Sequence, residues 1–173
     1  YKRLARRARR LGIRRILRFG AAPRCHARLI DARVCSRCTT VRARIGGRPA
    51  GVLANNPMHL SGAIDSPASD KAARFVSLCD TFDLPIVTLV DTPGMMVGPE
   101  VEKTALVRHC SRLFVVGANV TVPMVSIVLR KSYGLGAQAM MGGSTKAPLA
   151  CVAWPTGEFG GMGLEGAVRL GYR

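Results

Sequence analysis

The sequence predicts an α/β fold with a largely parallel sheet. One continuous apolar run of strand length, Ile86–Val90, has the composition of a strand that is buried on both faces, and Val122–Leu129 is predicted to be another, β-branched strand. Two other segments, Ser66–Phe82 and Pro99–Val116, carry apolar residues at helical spacing. Because strands and helices alternate along the chain, we expect parallel pairing, with ligand loops at the carboxyl ends of the strands.

The first predicted elements are a strand, Gly51–Ala54, and the polar loop at residues 55–57. Ser66 followed by Pro67 predicts a helix start, because serine is a common N-cap and proline is tolerated at the first helical position. The helix ends before Leu84-Pro85. One face of it carries the apolar residues Ala68, Ala72, Phe75, Val76, Cys79 and Phe82.

The later elements follow the same alternation. A turn at residues 91–94 follows the strand 86–90, and the helix over 99–116 comes next. The strand 122–129 leads into the glycine loop Tyr133–Ala137 and a short helix. A strand near Ala150–Trp154 and a glycine-rich helical end complete the prediction.

The charge of the chain is concentrated in an Arg-rich tail, residues 1–43. The 173 residues carry a net charge of +16, of which residues 1–44 contribute +14 and residues 45–173 only +2. Three interpretations of the tail stay open: a disordered or non-native segment such as a shifted reading frame produces, a transit-like leader, or a helix that binds nucleic acid or membranes. The composition predicts a boundary between residues 43 and 44.

No metal site and no membrane span are predicted. Cys35 and Cys38 have the spacing of half a zinc site, but Cys25 and His26 are adjacent and no second pair at ligand spacing follows. The longest uncharged stretch, residues 113–129, is interrupted by glycine and proline, which favour a helix end and a strand start.

Two loops are candidates for a ligand site, residues 91–98 and 131–137, because each follows a buried strand and precedes a helix. Backbone N–H groups at such junctions lack partners and can bind an anion or a developing oxyanion. The chain contains no HExxH or GxSxG motif and no paired carboxylates. Any chemistry is therefore expected to use backbone donors rather than side-chain acids and bases.

Several ordered stretches after residue 44 form a recognisable set. They read IGGRPAGVLANN (45–56), DKAARF (70–75), LVDTPG (89–94), RKSYG (130–134) and AWP (153–155), followed by Met162-Gly163 and Glu165–Val168. Together they resemble the C-terminal half of the carboxyltransferase domain of biotin-dependent acyl-CoA carboxylases, of the propionyl-CoA carboxylase β-subunit type. Residues 44–173 are expected to form this subdomain, truncated at its C-terminal end.

The resemblance implies a crotonase-like (ClpP/crotonase) fold of repeated ββα units, of which this chain holds part. It implies a ligase of fatty acid metabolism that moves a carboxyl group from carboxybiotin to the α-carbon of an acyl-CoA of the acetyl or propionyl type. The implied partners are a biotin carboxyl carrier or biotin carboxylase subunit and further copies in a homo-oligomer. The implied location is the cytoplasm, or the mitochondrial matrix in a eukaryote. The chain is expected to be inactive alone, because the family's CoA-binding half is not among the matched residues.

The resemblance also implies site residues. The family reads Tyr-Gly-Gly-Ala where this chain reads Tyr133-Gly134-Leu135-Gly136-Ala137. An ungapped match places the N–H donors of a biotin oxyanion hole at Leu135 and Gly136, and a shifted match places them at Gly136 and Ala137. The catalytic candidates are the N–H groups of Gly134, Leu135, Gly136 and Ala137. The candidates for biotin contact are Pro93, Gly94, Met95 and Tyr133.

Two alternative functions remain at this stage. A crotonase-like hydratase or isomerase shares the implied fold, but such enzymes place acidic side chains beside the thioester, and these glycine loops carry none. A nucleic-acid-binding protein would act through the tail, and salt-sensitive binding that depends on residues 1–44 would identify it. We expect neither nucleic acid nor a membrane as a partner. In the matched region, Ser61 stands where the family commonly has glycine.

Overall fold

The structure of the protein is a computed structural model that describes residues 19–20, 27–34 and 39–172. The strands of one sheet are β1 (Phe19–Gly20), β2 (Ala27–Val34), β3 (Thr39–Ile45), β4 (Arg48–Ala54), β5 (Ile86–Thr92), β6 (Met124–Tyr133), β7 (Ala150–Ala153) and β8 (Glu158–Gly160). β1 to β7 follow one another across the sheet, and β8 pairs with the end of β6. Pairing is antiparallel from β2 to β4 and parallel from β4 to β7, which confirms the predicted α/β fold.

The helices are α1 (Ser66–Thr81), α2 (Pro99–Glu102), α3 (Leu106–Asn119), α4 (Gly134–Met140) and α5 (Leu164–Gly171), and a 3₁₀ turn covers Leu60–Gly62. Helices α1, α3 and α4 contribute residues to the core against the sheet, whereas α2 and α5 bury none. The core joins Leu53 of β4 and Val90 of β5 to Val76 of α1 and Leu113 of α3. Burial of these apolar side chains is the main stabilising contribution to the fold.

The central strands are less evenly buried than their sequence predicts. Val90 and its partner Val128 on β6 are fully buried under the helices. Val87 and Leu89 alternate with the buried residues and are only half-buried. The prediction that residues 86–90 are buried on both faces is therefore wrong for one face, because the helices of the described residues cover only the other.

Two helix predictions also need correction. The N-cap of α1 is Asp65 rather than Ser66, since the Asp65 Oδ1 accepts a hydrogen bond from the Ala68 N–H at 2.9 Å. The Ser66 hydroxyl instead lies 3.1 Å from the Thr104 hydroxyl. The single helix predicted over 99–116 is two helices, α2 and α3, because Ala105 between them adopts a left-handed conformation with a φ of 53°.

The predicted boundary between residues 43 and 44 falls within β3. Cys25, His26, Cys35 and Cys38 lie outside the described residues, so the prediction of no zinc site there stays a prediction. None of the helices in the described part of the chain has both the length and the apolar character that a membrane span requires.

Candidate functional site at the carboxyl ends of the parallel strands

The two loops predicted as ligand sites lie in contact. Gly136, in the first turn of α4, packs against Gly94 in the loop after β5, and an ideal Cβ on Gly136 would lie 2.5 Å from the Gly94 carbonyl carbon. The carbonyl oxygen of Tyr133 also lies near Gly94, 3.7 Å from the position of its ideal Cβ. Only glycine at position 136 allows the two backbones to approach this closely. The structure therefore brings segments 91–98 and 131–137 together, although residues 131–137 form the end of β6 and the first turn of α4 rather than the predicted loop.

The loop after β5 is fixed by hydrogen bonds. The fully buried Thr92 hydroxyl accepts the Gly94 N–H and donates to the Gly94 carbonyl, both at 3.1 Å. That carbonyl also accepts the Ile64 N–H at 3.1 Å, and the Met96 N–H donates to the Ile64 carbonyl at 2.9 Å. The loop is thereby held between β5 and the start of α1. Its Pro93 is exposed, whereas Met95 is half-buried.

The start of α4 presents unpaired backbone donors. Its N-cap, Tyr133, is extended, and Gly134 follows with a φ of 55°. In a helix with this N-cap, the Ala137 N–H is the first that can reach a carbonyl within the helix, so the preceding N–H groups have no partner there. Leu135 and Gly136, the donors of the ungapped match, are among these N–H groups, and the choice between the two matches stays a prediction. The Leu135 side chain is 61% exposed, whereas Gly136 is buried.

Asp91 joins three strand ends, a role that the sequence analysis missed. Its buried carboxylate Oδ1 accepts the Arg130 Nε–H at 3.2 Å and the Lys131 backbone N–H at 3.3 Å. The Asp91 N–H donates to the Asn55 Oδ1 at 3.1 Å. The β5–β6 register slips at this point, so that β6 bulges opposite Asp91. The sequence offers one signal for this role, which is an acidic residue at the end of an apolar strand. Bulges of this kind often lie beside functional sites.

A strained turn lies next to Asp91. Leu60, Ser61 and Gly62 have φ values of 48°, 53° and 90°. An ideal Cβ on Gly62 would lie 2.2 Å from the Asp91 carbonyl oxygen, and the Lys131 Nζ donates to the Ser61 carbonyl at 3.1 Å. Positive φ at residues other than glycine costs free energy and is common near functional sites.

Tyr133 is hydrogen-bonded to β8. Its side chain is buried, and its hydroxyl donates to the Glu158 carboxylate. The hydrogen bond to Glu158, together with burial, raises the pKa of the Tyr133 phenol. The sequence analysis missed Glu158, because nothing in the local pattern places it beside Tyr133.

Comparisons with known proteins identify the family. The family model described as the carboxyl transferase domain matches residues 30–173. The chain belongs to the carboxyl transferase domain family. The match begins before the predicted boundary at residues 43 and 44, and the predicted resemblance is confirmed.

Members of the carboxyl transferase domain family resemble this chain over most of its length. The biotin-dependent long chain acyl-coenzyme A carboxylase beta4 subunit of Mycobacterium tuberculosis is 48% identical over 128 residues, covering 74% of this chain and 24% of the relative. Two solved structures also match. A single-chain, multi-domain long-chain acyl-CoA carboxylase has a TM-score of 0.75 and 59% identity, and the match covers 78% of this chain and 14% of that one. Transcarboxylase 12S with methylmalonyl-CoA and methylmalonic acid bound has a TM-score of 0.74 and 40% identity, and the match covers 80% of this chain and 26% of that one.

The chain spans about a quarter of the length of the curated relatives that it matches. The crotonase-like fold is confirmed by these carboxyltransferase neighbours, and the structure covers only part of that domain. The candidate donors, Gly134 to Ala137, and the candidate biotin contacts, Pro93 to Met95 and Tyr133, stay predictions.

Proposed function

We propose that this chain supplies the biotin-facing segment of a biotin-dependent acyl-CoA carboxyltransferase. One observation carries the proposal: Gly136 contacts Gly94, so the two segments that the family resemblance implies for biotin lie together. Carboxybiotin on its carrier supplies the carboxyl group, which passes to the α-carbon of an acyl-CoA. The resemblance favours acetyl- or propionyl-CoA.

The residues present fit the ureido group of biotin. That group presents a carbonyl oxygen, and the complementary protein groups are hydrogen-bond donors. The backbone N–H groups of Leu135 and Gly136 are such donors, and the exposed Leu135 and Pro93 leave this edge open to solvent. Neutral backbone donors also require no proton exchange with the ligand.

The role of this chain is to bind and orient. The Leu135 and Gly136 N–H groups donate to an oxygen on which negative charge develops, and their positions are set before binding by the contact with Gly94. Preorganised donors of this kind are worth roughly 10²–10³ in rate each. Tyr133 supports the segment through its buried side chain, and Met95 offers an apolar, half-buried surface.

The proposed partners follow from this role. A biotin carboxyl carrier protein or biotin carboxylase subunit presents the cofactor, and further copies of the subunit complete a homo-oligomer. The acyl-CoA site lies in residues of the full enzyme outside the segment matched here. We place the enzyme in the cytoplasm, or in the mitochondrial matrix of a eukaryote.

A chimera tests the function. Residues 45–172 replace the equivalent segment of the M. tuberculosis beta4 subunit, and the assay measures carboxylation of acetyl-, propionyl- and long-chain acyl-CoA with that subunit's own partners. We expect acyl-CoA-dependent carboxylation. A chimera that folds and assembles but hydrates or isomerises CoA thioesters without biotin supports the alternative crotonase-like enzyme.

A matched pair of variants tests the donor. Leu135→Ala and Leu135→Pro both remove an exposed side chain, but only proline removes the N–H. We expect the kcat of the Leu135→Pro chimera to fall roughly 10²–10³-fold below that of Leu135→Ala. Equal kcat values in folded variants contradict the assignment of this donor.

A further inference from the structure

Glu158 lies beside the proposed biotin-facing segment through the pairing of β8 with β6. Lys131 pairs with Glu158 and Tyr133 pairs with Gly160 in this parallel ladder. Glu158 is thus diagonal to Tyr133 on neighbouring strands, within reach of a long side chain. Its carboxylate accepts the hydrogen bond from the Tyr133 hydroxyl.

Other contacts come from the same stretch of chain, residues 158–164. An ideal Cβ on Gly134 would lie 3.0 Å from the Gly161 carbonyl oxygen, and one on Gly163 would lie 3.9 Å from the Tyr133 ring. Residues 158–164 therefore surround Tyr133 and Gly134 at the point where α4 begins.

The two partners of the hydrogen bond between Tyr133 and Glu158 differ in solvent exposure. The Tyr133 side chain is 6% exposed, whereas Glu158 is exposed. A hydrogen bond with a charged acceptor is stronger than one between neutral groups. Because the pKa of Tyr133 is raised, its hydroxyl keeps its proton and donates throughout the neutral range.

We infer that Glu158 is a positioning residue for the Tyr133–Ala137 segment, holding the Tyr133 hydroxyl and thereby the donors that follow it. The Tyr133 backbone is the N-cap of α4, so a shift of its side chain moves the N–H groups of Leu135 and Gly136. This inference rests on the proposed function. Glu158 itself touches no reacting atom and acts only through Tyr133.

The test uses the 173-residue chain, ¹⁵N-labelled and titrated with free biotin while the Leu135 and Gly136 amide resonances are followed. Glu158→Ala removes the acceptor, and Glu158→Gln retains one. Glu165→Gln is the matched control, because Glu165 is exposed on α5 and pairs with Arg169 at 2.6 Å rather than with Tyr133. The pH titration of the Tyr133 ring resonance in each variant reports on the hydrogen bond itself.

We expect Glu158→Ala to move both amide resonances, to lower the pKa of Tyr133 and to weaken biotin binding at least about fivefold. Glu158→Gln restores binding to within about twofold of the parent, and Glu165→Gln matches the parent. A merely structural role predicts a lower melting temperature with unchanged biotin affinity in the folded variant. That result overturns the inference.

The remaining outcomes are also decisive. If Glu158→Ala does not fold, Tyr133→Phe removes the same hydrogen bond, and unchanged amide resonances and affinity in that variant overturn the inference. If biotin leaves the Leu135 and Gly136 resonances of the parent unmoved, the proposed function is contradicted and the inference falls with it. Binding by the parent with equal binding by Glu158→Ala contradicts the inference alone.

Discussion

Gly136 packs directly on the backbone of Gly94. An ideal Cβ on Gly136 would lie 2.7 Å from the Gly94 Cα and 2.8 Å from its carbonyl oxygen, closer than real Cβ atoms approach. This contact seats the first turn of α4 on the loop after β5. Gly136 therefore has a packing role whatever its N–H binds, and a substitution there alters stability as well as any donor function.

The first prediction follows from this contact. Gly136→Ala is expected to lower the free energy of unfolding by about 1–3 kcal/mol, because the added methyl group forces two backbones apart. Urea unfolding of the 173-residue chain measures the change. Gly166→Ala is the control, since Gly166 also lies in a helix and its ideal Cβ meets only the Met162 sulfur at 3.9 Å.

For Gly166→Ala we expect no loss, or a gain of up to about 1 kcal/mol from the higher helix propensity of alanine. If Gly136→Ala is as stable as the parent, the close approach of α4 to the Gly94 loop is not a tight contact in solution.

The second prediction concerns Ser61, which has a φ of 53° and a ψ of 24°. This left-handed conformation costs a residue with a side chain about 1–2 kcal/mol, whereas glycine adopts it freely and loses about 0.5–1 kcal/mol in chain entropy. We expect Ser61→Gly to stabilise the chain by roughly 0.5–1 kcal/mol. The acceptor for the Lys131 ammonium is the backbone carbonyl of Ser61, so the substitution leaves that hydrogen bond in place.

Ser77→Gly in the middle of α1 is the control for this comparison. Ser77 is exposed and helical, so glycine there is expected to destabilise the chain by about 0.5 kcal/mol. Thermal unfolding of both variants gives shifts of opposite sign if the Ser61 backbone is strained. A loss of stability in both variants contradicts the strain.

The sequence predicted the parts of the fold that depend on local patterns. The apolar run at 86–90 lies within β5, the strand predicted at 122–129 overlaps β6 from Met124 onwards, and the helical spacing after Ser66 corresponds to α1. The interruption between α2 and α3 at Ala105 was missed, because alanine favours helix and nothing local predicts a left-handed φ there. The fold class could be predicted because each buried helix or strand has a characteristic spacing of apolar residues in the sequence.

The candidate site was predicted only in part. The glycine loops were visible as strand-to-helix junctions, and the structure places them in contact. Asp91 and Glu158 were missed because their partners lie far along the chain, on β6 and at Tyr133. A local sequence pattern does not indicate which distant donor a carboxylate contacts, because that partner depends on the register of the paired strands.

The third prediction compares three thiols in one sample. Burial raises the pKa of Cys79 to about 11, and burial also raises that of Cys110, whereas Cys151 on β7 is exposed. Because the thiolate is the reactive form, iodoacetamide at about pH 8 is expected to label Cys151 and to leave Cys79 unlabelled in the native chain. Peptide mass spectrometry gives the rate for each site.

Urea above the unfolding midpoint is the control for this labelling. Unfolding exposes all three thiols, so their rates are expected to converge. Native-state labelling of Cys79 as fast as that of Cys151 contradicts the burial of Cys79 beneath β4.

The last prediction is a pH dependence that arises at Asp80, near the end of α1. Its Oδ1 accepts the Thr121 N–H at 2.8 Å, the Thr121 hydroxyl at 2.9 Å and the Val122 N–H at 3.1 Å. These bonds, the Thr121 N–H first, hold the pKa of Asp80 below its ordinary value of 3.8. A carboxyl whose pKa is lowered by folding adds stability that is present above its unfolded pKa and is lost as the pH falls through the folded value.

We therefore expect Asp80→Asn to unfold at a lower urea concentration than the parent from about pH 7 to about pH 5, with the difference shrinking below about pH 4. Thr121→Val removes only the hydroxyl donor, so its difference from the parent is expected to be smaller and to shrink in the same pH range. Other carboxyl groups titrate equally in all three proteins, so an Asp80→Asn difference that is the same at about pH 3 and at about pH 7 means that these hydrogen bonds do not favour the charged form.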